Sequence, residues 1–370
     1  MNPALSSPCG PDCRAAVFHA PGQPLQLQSF PVPVPEDDEA VVRISCCTVC
    51  GSDLHTLTGA RAEVTPSILG HEAVGFVERL GPRPLRDVAG VPLNLGDRVT
   101  WSTVIACGTC DRCRAGLPQK CRQLSKYGHD RALGRQALNG GLAERILLRR
   151  GSAVVKLPDD LPDEIVCPAN CATATVAAMY RCAEPVAGQR VLIFGAGMLG
   201  LTAAAMAAAR GACAIAVLDT QPRRLELARE FGATATLAWT ADGSDLSESL
   251  RELTGQALWD IVLEVCGAPA AVAAACQQGD IGARIVLAGS VMPTPDIPLN
   301  PEQVIRRCLT IRGMHNYTPA DLLAAVMFLQ EHGRRFPFAK LVANTFPLDR
   351  VNEAVAHALE QRPIRIGIRP

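Results

Sequence analysis

The spacing of apolar residues changes character along the chain. Up to about residue 165, short apolar runs at 39–45, 73–80, 98–104 and 153–156 are separated by Gly, Pro and Asp. Runs of this length between turn formers predict strands, and hence a compact, irregular, mainly β domain. From about 170 to 310, apolar runs at 190–194, 214–218, 261–265 and 284–288 alternate with alanine-rich segments such as 200–210 and 222–231. That alternation predicts an α/β unit with a parallel sheet and crossover helices. The last stretch predicts helices at 321–332 and 348–360 and a strand near 364–368, expected to pack back on the first domain. The apolar run 191–209 is long enough to span a bilayer. Gly195, Gly197 and Gly200 break it into strand, turn and helix, so a membrane span is rejected.

Length and composition sharpen this picture. A chain of 370 residues exceeds one ordinary core, so two domains are expected. Hydrophobic residues make up 48% and charged residues 19%, and the formal net charge is zero. Such a balance argues against nucleic acid or an anionic membrane as a partner. Residues 1–13 lack the basic start and apolar centre of a secretory signal and read as a mobile tail. Sixteen cysteines in that context point to a reducing, cytoplasmic setting, with metal binding and buried thiols using most of them.

Four cysteines crowd one loop as Cys107-x2-Cys110-x2-Cys113-x7-Cys121, with Gly108, Gly116 and Pro118 bending the backbone between them. Converging thiolates suit tetrahedral zinc, and four protein ligands leave no open position, so such an ion is structural. The rival readings are an iron–sulfur cluster, whose bacterial motif has a shorter last gap and a following proline, and a pair of disulfides. Arg112, Arg114, Lys120 and Arg122 are interleaved where they can offset the thiolate charge.

Gly195-Ala196-Gly197-Met198-Leu199-Gly200 follows the run 190–194 and opens an alanine-rich segment. In that setting the first glycine allows a tight turn, the second lets backbone approach a pyrophosphate, and the third permits close helix–strand packing. Amide donors at the helix start then face the phosphates. Asp219 ends the next strand, nineteen residues beyond Gly200, where a carboxylate accepts from an adenosine ribose and repels a 2′-phosphate. The expected cofactor is therefore NAD. Arg223 and Arg224 follow closely and soften that preference, and a glycine-rich turn that binds nothing is the alternative.

Cys50-Gly-Ser-Asp-Leu-His55 reads as a turn after a strand, and Gly70-His71-Glu72 precedes another. Cys171 stands near the expected domain boundary. Taken with Gly96-Asp-Arg-Val99, the cysteine lobe, Gly140-Gly-Leu-Ala-Glu144 and the glycine turn, the chain resembles the zinc-dependent medium-chain alcohol dehydrogenases from about residue 15 to 368. The resemblance implies a Rossmann-type doubly wound parallel sheet inserted into a GroES-like, mainly β catalytic domain. Its parts would be a tail (1–14), a first catalytic segment (15–170, with the zinc lobe at 101–125), a dinucleotide domain (171–312) and a second catalytic segment (313–370). It further implies two zinc ions per chain, one held catalytically by Cys50, His71 and Cys171, and a homodimer or homotetramer.

By the same resemblance, Asp53 orients His71, Glu72 is a carboxylate beside the metal, and Ser52 and His55 relay the proton of an alcohol by way of the cofactor ribose. Arg224 joins the glycine turn and Asp219 as a cofactor contact. Polyol-type relatives carry Glu where Cys171 stands. The remaining cysteines, Cys46, Cys47, Cys167, Cys182, Cys213, Cys266, Cys276 and Cys308, are expected to be small buried hydrophobes. The segment from Gly116 to His129, with Trp101-Ser102, looks like a subgroup provisionally linked to phosphonate metabolism. Lys126, His129 and Arg131 would then offer charge to an anionic alcohol or aldehyde, or else decorate the lobe surface. A zinc-free reductase of the same superfamily and a non-catalytic NAD-binding protein are the other readings. The first would lack the Cys50/His71 pair.

Overall fold

The computed structural model describes residues 12–240 and 245–370. The residues expected to form a tail lie outside that range up to position 11. Cys13 and Arg14, also assigned to the tail, instead begin the strand Cys13–Phe18, and the Arg14 amide donates to Glu144. The chain divides into two compact units. One comprises the chain up to Cys171 with Thr318–Gln330 and Phe338–Pro370, and the other Ala172–Tyr317 with Glu331–Pro337.

The first unit is built on a sheet running Val342–Pro347, Arg365–Arg369, Ala40–Val49, Glu72–Leu80, Arg98–Ile105, Ser125–Lys126. Arg145–Leu148 and Ser152–Lys156 add to it, and a three-stranded sheet contains Gln26–Phe30, Cys13–Phe18 and Ser67–Ile68. Val17, Val41, Val99, Trp101, Leu147 and Ile368 join one core, each almost fully buried. Full burial of such a side chain contributes about 1.5–3 kcal/mol. The C-terminal strand pairs antiparallel with Ala40–Val49, so the tail does return to this unit. Two registers then position the site. Thr48 faces Glu72 and Val49 faces Ile366, so Cys50, His71 and Arg365 come together where the three strands end.

The second unit is a six-stranded parallel sheet in the order Ala235–Ala238, Ala214–Asp219, Arg190–Phe194, Trp259–Glu264, Gly279–Leu287, Thr310–Gly313. The order reverses on either side of Arg190–Phe194, the switch point at which doubly wound sheets bind ligands. The central residues Val191 to Phe194 are all buried, as expected for a strand covered on both faces. Trp259, Leu250 and Phe194 anchor a core of this unit. Apolar spacing alone did not reveal Gln26–Phe30 or the edge strand Thr310–Gly313, because both are largely exposed and carry polar residues. Among the described residues, no helix is long and apolar enough to cross a membrane.

Candidate metal centre and nucleotide turn

The segment after Cys50 is a helix, Gly51–Leu57, rather than the expected turn. Cys50 is its N-cap, and Asp53, at the third helical position, accepts the Cys50 amide at 2.9 Å. With the Cys50 side chain facing the Asp53 amide this makes a capping box, and it explains how a helix begins behind a thiol. Asp53 is fully buried; its other oxygen lies 3.4 Å from His71 Nδ1 and accepts the Gly70 amide at 3.3 Å. Burial alone would raise the Asp53 pKa, yet His71 and the Cys50 amide hold it below the usual range. With Nδ1 facing a carboxylate, His71 keeps Nε2 for a metal.

The Sγ atoms of Cys50 and Cys171, an imidazole nitrogen of His71 and a Glu72 oxygen all lie within 4.8 Å of one another. Two thiols and an imidazole at this spacing suit zinc with a position left open. Cys171 is delivered by the 3-10 turn Cys167–Asn170, and Asn170 Nδ2 donates to the carbonyls of His71 (2.9 Å) and Trp101 (2.7 Å). The backbone carrying one candidate ligand is thereby pinned to that carrying another. The Cys171 thiol and the Arg365 guanidinium beside Cys50 push its pKa well below the thiol range, and the same proximity raises that of Cys171.

Glu72 is fully buried and already engaged. Thr48 Oγ1 donates to it at 2.6 Å, and Arg365 donates from Nε (2.8 Å) and Nη2 (2.9 Å). Arg365 Nη2 also lies 3.4 Å from Cys50 Sγ. Burial raises the Glu72 pKa despite this guanidinium. For Glu72 to ligate a metal, these bonds must first be exchanged. Arg365 is absent from every motif above, since it lies 293 residues from its partner in sequence and only strand pairing brings it in. Ser52 is half-buried and His55 exposed, and their three-residue spacing puts them on one helical face.

In the lobe, sulfur–sulfur distances are 3.4 Å for Cys107–Cys121, 3.5 Å for Cys110–Cys113 and 3.9 Å for Cys110–Cys121. A tetrahedral zinc–thiolate site has edges of about 3.8 Å, so a single ion fits. The four thiols are free and beyond the ~2.05 Å of a disulfide bond. Backbone amides of Arg122 and Gln123 donate to Cys110 and Cys121. Hydrogen bonds from the Thr109 amide and hydroxyl hold Cys107 down at about 6, while desolvation and neighbouring sulfurs push Cys113 up to about 12. The expected charge balance is corrected in one respect: the Arg112 and Arg122 side chains both pair with Asp111.

The glycine turn joins Arg190–Phe194 to the helix Met198–Ala209, with Gly197 as N-cap. A Cβ at Gly200 would overlap the Gly195 carbonyl oxygen, so only glycine lets the helix approach this closely. Met198 is buried and Leu199 half-buried. Asp219 accepts the Ala196 amide at 2.7 Å and the Gln221 amide at 2.9 Å, which fixes its carboxylate beside the turn. Arg224 is half-buried and Arg223 exposed, in the first turn of Pro222–Glu230. Sequence reasoning passed over Glu264, fully buried, which accepts the amides of Cys266 (2.8 Å), Gly267 (2.5 Å) and Gly289 (3.2 Å) at the same end of the sheet.

The expectation for the remaining cysteines needs amendment, and the segment 126–131 divides. Cys213, Cys266 and Cys308 are exposed rather than buried, and Cys182 is half-buried. Of the segment 126–131, His129 stacks on His71 with ring centroids 5.1 Å apart. Arg131 is exposed, and its backbone bridges to Ser67.

Residues 36–159 match the alcohol dehydrogenase GroES-like domain, and residues 199–331 match the zinc-binding dehydrogenase family. The chain is 31% identical to 5-exo-hydroxycamphor dehydrogenase of Pseudomonas putida, covering 89% of this chain and 92% of that protein. It is 30% identical to L-threonine 3-dehydrogenase of Saccharopolyspora erythraea, over 92% and 94% of the two chains. The crystal structure of an alcohol dehydrogenase from Thermotoga maritima superposes with a TM-score of 0.90 at 26% identity, covering 98% of this chain and all of that one. Likeness of this extent, through both units, makes the chain a member of the zinc-binding medium-chain alcohol dehydrogenase family, an oxidoreductase by descent.

Proposed function

We propose that the protein is a zinc-dependent dehydrogenase that transfers hydride reversibly between an alcohol and NAD. The observation that carries this reading is the convergence of Cys50, His71 and Cys171 with Asp53 behind the imidazole. Zinc bound there supplies a Lewis acid that lowers the pKa of the alcohol hydroxyl. The chain's own residues do the rest. Asp53 holds the His71 ring, and Arg365 donates two hydrogen bonds to the buried Glu72 and places positive charge beside the Cys50 sulfur. Ser52 would accept the hydroxyl proton, and His55, exposed on the same helical face, would release it to solvent. NAD held at the glycine turn would supply the hydride acceptor, so that alcohol and NAD⁺ balance against carbonyl, NADH and a proton.

The glycine turn and Met198–Leu199 cradle the pyrophosphate, and Asp219 accepts from the ribose hydroxyls, which favours NAD over NADP. Arg224 borders that site. A second zinc in the lobe is structural, and the working form is a homodimer or homotetramer. Two zinc ions per chain by elemental analysis, and loss of turnover with retained NAD binding in Cys50→Ser, are expected. Full activity in that variant would refute the catalytic assignment.

A further inference from the structure

The turn from Lys126 to Asp130 lies directly on the backbone that presents His71. Gly128 has φ +77°, and a Cβ there would come within 2.7 Å of the Gly70 carbonyl oxygen and 3.2 Å of His71 Cβ. One residue on, the His129 ring stacks against the His71 ring. His129 Nδ1 is 2.7 Å from Glu63, which also pairs with Arg61 at 3.5 Å. Arg61 is tied back to the Ser52/His55 helix, its amide donating to the His55 carbonyl at 3.0 Å.

Lys126 opens this turn. It is half-buried, and its carbonyl accepts the amides of His129 (3.3 Å) and Asp130 (3.2 Å). The two neighbouring carboxylates are committed elsewhere. Glu63 serves His129 and Arg61, while Asp130 accepts from Ser125 Oγ, the Lys126 amide and Arg149. Among the described residues, no carboxylate lies within 4.0 Å of the Lys126 ammonium. Burial, followed by the like charges of Arg61 and Lys120, lowers its pKa, and Glu63 and Asp130 offset this only in part. A half-buried cation with no carboxylate in ion-pair contact gains most from an incoming anion.

We infer that Lys126, with Arg61 held by Glu63 against the same turn, forms an oxyanion-binding subsite next to the metal centre, so that the substrate is an alcohol or carbonyl compound bearing a carboxylate, phosphate or phosphonate. The inference rests on the dehydrogenase reading of Cys50, His71 and Cys171 and adds the substrate class. It replaces the exposed Arg131 with Arg61 as the second cation.

The test uses the zinc-replete full chain with NAD. Linear primary alcohols of two to four carbons are compared with the ω-carboxylate and ω-phosphonate alcohols of the same length. At least one anionic series should exceed the neutral one in kcat/KM by roughly 10- to 100-fold, the worth of one or two charged hydrogen bonds. In Lys126→Met that ratio should fall to within about threefold, through KM, and Lys126→Arg should restore most of it. The preferred series tells carboxylate from phosphonate. Calorimetric binding of acetate and methylphosphonate, which needs no turnover, should weaken about tenfold or more in Lys126→Met and Arg61→Met. Equal kcat/KM for neutral and anionic alcohols, with anion binding unchanged in both variants, would overturn the subsite and leave the dehydrogenase reading intact. No turnover of any alcohol, with anion binding lost in Lys126→Met, would sustain the subsite and sink the dehydrogenase.

Discussion

Arg365 and Glu72 form a buried ion pair that touches a candidate ligand thiol. Each partner needs the other, because a lone charge in that setting cannot recover its lost hydration. Arg365→Met should therefore destabilise the first unit by about 3–5 kcal/mol, read from urea unfolding. Adding Glu72→Gln should recover a good part of that loss, since the orphaned carboxylate is then gone. Simple addition of two losses would show that the pair is not coupled. At the nucleotide turn, Asp219→Ala should weaken NAD by about tenfold or more while leaving NADP nearly unchanged, as the missing carboxylate no longer repels a 2′-phosphate. Equal losses by equilibrium titration would remove Asp219 from the ribose. Asp219 and the glycines were legible in the sequence because the pattern that marks them is local. Arg365 was not, because a lone arginine in a C-terminal strand carries no signature until the register Val49–Ile366 places it.

At the scale of elements, the cysteine loop contains little regular structure. Its helix Asp111–Arg114 has only four residues, none of them buried, too short to be stable in isolation. Cys113→Ser should lower zinc content by about one ion per chain and expose the loop to limited proteolysis, with cuts mapping between residues 107 and 121. Unchanged protection would mean that packing, not metal, orders the loop. The spacing of the four cysteines was enough to expect their convergence, since a short bent loop has few ways to keep four thiols apart. The helix at Gly51–Leu57 was not expected. Gly and Ser at its start read as turn formers, and the Asp53 bond to the Cys50 amide, which favours a helix, is a matter of geometry.

For the whole molecule, both candidate metal clusters belong to the first unit and the glycine turn to the second. Each unit has its own core, so metal loss need not unmake the nucleotide site. Dialysis against a chelator should cut turnover by about 100-fold or more, yet change NADH affinity, followed by its fluorescence, by less than about threefold. Parallel loss of both would show that the metals also support the nucleotide unit.

By itself the sequence determined the two-part architecture, the parallel sheet with its glycine turn, and the residues able to ligate metal. These follow from periodicity, turn chemistry and donor spacing, all carried by residues near one another along the chain. Only the tertiary structure decided that Arg365 pairs with Glu72, that Asn170 ties Cys171 to His71, and that the 126–130 turn lies on His71 with, among the described residues, no carboxylate in ion-pair contact with Lys126. Those outcomes depend on strand register and on competition among carboxylates for their cations, and both are settled only when distant segments pack.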